Sequence, residues 1–207
     1  LMSAVGDQLA GLKAMREEAE KIADDLTARD RDVRGFFSQY DHVVGAQARK
    51  SLEAATAARE DARRLVSASP PDWPAARQAL LQAREEYGIA QSQARSDHDV
   101  YQVLTSEYDQ ARNHAQRVEA FLAGHSEDRL AANQHYRHAA EVLNLVGDDS
   151  TRVGNEWPRL LDQVRGARQD LEYSEKLARE DIRLARQAEA EMSEAARVLR
   201  EGRTFLS

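Results

Sequence analysis

The chain has 207 residues, of which 31% are charged and only 6% aromatic, and 29 Lys and Arg stand against 36 Asp and Glu for a formal charge of -7. So few aromatic residues exclude a thick globular core, and the acidic balance argues against broad attraction to DNA or to an anionic membrane. Cysteine is absent, which removes disulfides, thiolate nucleophiles and cysteine zinc sites and leaves the redox compartment open.

Apolar periodicity and punctuation predict five helices: I from about 3 to 38, II from 41 to 67, III from 72 to 122, IV from 126 to 146 and V from 156 to 206. All four prolines, Pro70, Pro71, Pro74 and Pro158, fall in or just after two predicted loops, where a first helical turn tolerates a missing N–H. Asp72 and Asn155 read as N-caps, and Gly124 and Gly147 as helix stops. Helices III and V each run for roughly 50 residues, or about 75 Å at 1.5 Å per residue.

Both long helices carry a heptad seam. In V, every seventh residue from Trp157 is apolar: Val164, Leu171, Ala178, Ala185, Met192, Leu199 and Leu206 follow it. In III the same position reads Trp73, Leu80, Tyr87, Ala94, Tyr101, Tyr108, Ala115 and Leu122, and the seam is completed by a companion position: Ala76, Ala83, Ala90, Asp97, Leu104, Ala111 and Val118 in III, and Leu160, Ala167, Ser174, Asp181, Ala188, Ala195 and Gly202 in V. A seven-residue repeat held this long implies left-handed packing, because a 3.5-residue seam keeps facing its neighbour only if the helices wind around each other.

The seams are also copies of one another. A shift of 84 residues lays Trp73-Pro74 on Trp157-Pro158, Ala83-Arg84 on Ala167-Arg168, Asp97 on Asp181 and Phe121-Leu122 on Phe205-Leu206. A partial third copy ends at Val33 to Ser38. Such a period implies stacked helical units. The expected fold is all-α: elongated antiparallel coiled-coil or three-helix-bundle repeats that share long helices. The first unit would span 1–97, and the second 98–207 with part of a next unit.

This connectivity, with Trp73 and Trp157 near helix starts, resembles spectrin repeats, in which the last helix of one unit continues as the first of the next. The resemblance covers most of the chain and implies architecture alone, since the 84-residue period is shorter than that family's usual repeat. A second stretch, Gly45-Ala46-Gln47-Ala48-Arg49 continuing through Leu52, Ala55, Ala62 and Leu65 to the Ala83 to Ala94 stretch, resembles the alanine- and arginine-rich helical segments that trail the TPM domain in some bacterial envelope proteins. That resemblance implies no activity.

Trp73 and Trp157 are expected as structural anchors between helices, and Tyr87, Tyr101, Tyr108 and Tyr136 as seam residues with their hydroxyls at the rim. Asp97 and Asp181 break the seam at the midpoint of each long helix. A carboxylate there is costly unless solvated or paired, so each should meet backbone donors where partner helices end. A ferritin-like di-iron site needs an acid three residues before a histidine, and none of the six histidines has one. His135 and His138 share a helical face but are expected to be solvated. With no Gly-rich phosphate loop, nucleophile elbow or His-Glu-x-x-His motif, neither an enzyme nor any cofactor or metal is expected.

No stretch reaches the roughly 18 apolar residues of a membrane span, and Leu1 to Ala10 lacks the pattern of a signal peptide. A soluble chain is therefore expected, its compartment left open between cytoplasm and bacterial envelope, and its start at Leu1 directly in a helical pattern suggests a segment of a longer protein. Its expected role is a structural or interaction module: a coiled-coil arm acting as a spacer or docking surface, engaging protein partners or itself through its seams, without direct nucleic-acid contact. The alternatives are a coiled-coil segment of a chromosome-associated ATPase and a helical metal or ligand carrier. Self-association is expected through Met192, Leu199 and Leu206, because the stripe from Ile182 onward has no helix to cover it.

Overall fold

The computed structural model describes residues 2–124, 130–149 and 156–205, with side chains over 9–124, 131–149 and 156–201. These residues form five helices: α1 (Met2–Gln39), α2 (Ala46–Ser67), α3 (Trp73–Ala123), α4 (Leu130–Asp149) and α5 (Trp157–Phe205). The protein is all-α, with no strand among the described residues. The helices group into two compact units, Leu1–Gln102 with Arg152–Trp157, and Val103–Thr151 with Pro158–Ser207.

In the first unit, α1, α2 and the first part of α3 close around a core that runs from Ala19, Leu26 and Val33 to Ala55, Ala83 and Tyr87. Ion pairs and hydrogen bonds give the directions. Glu18 meets Arg77 and Asp30 meets Tyr87, so α1 and α3 run parallel; Thr27 meets Arg59 and Arg34 meets Thr56, so α2 runs back. Alanine dominates the contacts of α2, where Ala48, Ala55, Ala58 and Ala62 are all buried. Small side chains let the helix axes approach closely, and Leu26, Val33 and Leu80 fill the space opposite.

The second unit repeats the plan with α4 and the first half of α5. Glu107 meets Arg168 and His114 meets Glu175, so α3 and α5 are again parallel. Every seam position of α5 from Trp157 to Ala178 is buried, as are Leu104, Ala111 and Val118 of α3. Ser174, the polar member of this seam, is fully buried and donates its hydroxyl to the Ala132 carbonyl at 2.6 Å, which removes the penalty of placing it there.

Two boundaries differ from the sequence expectation. Helix α2 starts at Ala46 rather than near 41, because Val43 and Val44 fold back as a turn on the Tyr40 carbonyl and are themselves buried. Gly45 then caps α2 in an extended conformation. Gly147 does not stop α4, which continues to Asp149. The glycine serves a close approach: a Cβ at this position would lie 2.5 Å from the Tyr108 hydroxyl of α3. Of the other predicted signals, Asp72 caps α3 by accepting the Ala75 N–H at 3.0 Å, and α3 ends at Ala123, directly before Gly124. Asn155 lies outside the described residues.

Candidate functional site

Three groups of side chains depart from plain seam packing. The first is a polar cluster inside the first unit. Asp30 of α1 accepts hydrogen bonds from Arg34 Nε at 2.7 Å, Arg59 Nη1 at 3.1 Å and the Tyr87 hydroxyl at 2.8 Å. Arg59 also donates to Thr27, and Arg34 to Thr56. Burial pushes the Asp30 carboxyl upward, but the hydrogen bonds from Tyr87 and Arg34 and the charges of Arg34 and Arg59 outweigh it and hold the group below the usual carboxylate range. Burial and the adjacent carboxylate raise the Tyr87 phenol. Tyr87 was legible as a seam residue, but its hydroxyl was expected at the rim; the residue is instead fully buried, and the hydroxyl is satisfied by Asp30.

Structural anchors form the second group. Trp157 is buried within the first unit, its indole N–H donated to the Val43 carbonyl at 2.8 Å and its ring edge-on to Tyr101 at 5.0 Å. Trp73, its counterpart in the repeat, is half-buried and packs against the core margin with the Arg16 guanidinium 5.6 Å above the ring. Asp97 is half-buried, and its Oδ2 accepts the Gly45 backbone N–H at 2.8 Å. The α3 carboxylate thus satisfies the residue that begins α2. Asp181 is half-buried on α5, and the counterpart of Gly45 in the repeat, Arg129, lies outside the described residues.

Histidine–carboxylate pairs mark the second unit. His114 Nε2 lies 3.1 Å from Glu175 Oε2, and the Asp170 carboxylate receives both His135 at 3.2 Å and His138 at 3.7 Å. Arg179 and then His114 lower the Glu175 carboxyl, against an opposing push from burial. His135 stands edge-on to Tyr173. Tyr136 is half-buried, and burial followed by the nearby Glu119 charge raises its phenol. Among the described residues, no group of three or more His, Asp or Glu converges in a way that would hold a metal ion.

The most extended feature is the second half of α5. From Arg183 to Glu201 every side chain is exposed, including the seam residues Ala185, Ala188, Met192, Ala195 and Leu199. Met192 is 65% exposed and Leu199 69%, whereas Leu171 and Ala178 on the same seam are at 0%. Leu206 lies outside the described residues. The polar flanks are tied along the helix by Arg197 to Glu194 and Glu201, and by Gln187 to Glu191. Those ties hold the backbone helical without covering its apolar face.

No family model, curated protein or solved structure matches this chain. Among the described residues, no helix is long and apolar enough to cross a membrane. The fold defines an all-α protein built from helical bundles, with one long helix face left open.

Proposed function

We propose that this chain is a structural and interaction module: an extended coiled-coil arm of spectrin-like repeat architecture that spaces attached domains and docks helical partners. One observation carries the proposal. The heptad seam of α5 keeps its apolar pattern from Trp157 to Leu199, yet its cover stops after Ala178. An apolar stripe continued beyond its own bundle is a surface for another helix. The spacer component draws on the 51 residues of α3, which correspond to about 77 Å of unbroken helix.

Small-angle scattering tests the extended shape. A compact chain of this length would have a radius of gyration of roughly 17 Å. The proposal expects a value far above that and a distance distribution with a long tail. A radius close to the compact figure would rule out the arm.

A further inference from the structure

We infer that the exposed second half of α5 pairs antiparallel with the same segment of a second copy of this chain. The inference rests on the interaction-arm proposal and names the partner for its open face.

Size complementarity within the stripe points to the twin. Its seam alternates large and small residues: Ala185 and Ala188, then Met192, then Ala195, then Leu199. A parallel pair would stack Met192 on the partner's Met192 and Leu199 on the partner's Leu199, with alanine layers between them, so wide and narrow layers would alternate. An antiparallel pair avoids this. With Met192 opposite the partner's Ala195, Leu199 falls opposite the partner's Ala188, and by two-fold symmetry Met192 and Leu199 of both copies meet an alanine. A shallow, mainly apolar hollow on this stretch is lined by Ala190, Glu191, Glu194, Ala195, Val198 and Leu199.

Charge selects the same register. The segment is basic at Arg183 and Arg186, acidic at Glu189, Glu191 and Glu194, and basic again at Arg197 and Arg200. Centring the antiparallel pair near Ala190 would set Glu189 beside the partner's Glu189 and Glu191 beside the partner's Glu191. Sliding one helix past the other by a heptad, to the register with Met192 on the partner's Ala195, separates those acids. It also brings Glu189 within reach of the partner's Arg200. Apolar fit and ionic fit therefore agree on one arrangement.

Sedimentation equilibrium of the full chain should show a dimer, and Met192→Glu should weaken it by about tenfold or more, because the new carboxylate would be buried against alanine. The chain has no cysteine, so register can be read by oxidation. Ala188→Cys and Leu199→Cys chains should cross-link when mixed, and neither should cross-link alone. These side chains are exposed, so the variants should keep their helix content by circular dichroism. A monomer at millimolar concentration, a dimer indifferent to Met192→Glu, or a Leu199→Cys chain that cross-links to itself would overturn the pairing. A monomer with extended scattering would reject the pairing but leave the arm, whereas a compact particle would reject the arm.

Discussion

The Asp97 carboxylate on α3 accepts the backbone N–H of Gly45 at 2.8 Å, so the single acid in the α3 seam is matched to the residue that caps the start of α2. The bond joins positions 52 residues apart and turns a seam defect into a fixed contact. Replacing Asp97 with Leu should therefore destabilise the protein by about 1–3 kcal/mol in denaturant titrations, despite the added apolar area, because a half-buried N–H loses its acceptor. Asp97→Asn retains an acceptor oxygen and should cost less. A clear stabilisation by Leu would mean the contact contributes nothing.

The two tryptophans should separate in the same assay. Trp157 is buried and hydrogen-bonded, so Trp157→Ala should cost on the order of 3–5 kcal/mol. Trp73 keeps part of its ring in solvent, and Trp73→Ala should cost only about 1–2 kcal/mol. Equal losses would contradict the difference in burial.

Gly147 and Tyr108 should be coupled. An alanine in a helix normally gains about 1 kcal/mol over glycine, but here its Cβ would press on the Tyr108 hydroxyl. Gly147→Ala alone should be neutral or destabilising. In a Tyr108→Phe background, which removes the obstructing oxygen, the same change should stabilise. A double-mutant cycle measures that change of sign.

Acidification should loosen the Asp30 cluster. Its folded pKa lies below the unfolded value, so the stabilisation is present above the ordinary carboxylate range and disappears as pH falls toward the folded pKa. Asp30→Asn should therefore lower stability at neutral pH and flatten the decline as pH falls through and below the ordinary carboxylate range. Part of the slope should survive, because Glu175 is also held low and contributes with the same sign. An unchanged slope would mean the cluster adds no pH-dependent stability.

How much could be read beforehand depended on how local the cause was. The long helices and their seams were legible because heptad spacing and proline placement act within a few turns, and Asp72 capped α3 as its position before Trp73-Pro74 suggested. The start of α2 was misplaced because Tyr40 to Val44 contains no proline, and its turn is set by burying Val43 and Val44. Gly147 was misread as a stop because the Tyr108 contact lies far away in sequence. The Asp30 cluster joins α1, α2 and α3, and no local pattern announces it. The open α5 stripe, by contrast, was anticipated by counting the helices that could cover it, and Met192 and Leu199 are exposed.

An arm that spaces attached domains requires α3 to hold its length in solution. Spin labels on cysteines introduced at Gln78 and Asn113, both exposed and 35 residues apart on α3, test this directly by double electron–electron resonance. One unbroken helix predicts a narrow distribution near 53 Å between the labelled backbone positions, from a rise of about 1.5 Å per residue. A broad distribution, or one centred well below that distance, would mean that α3 bends or breaks and would contradict the arm.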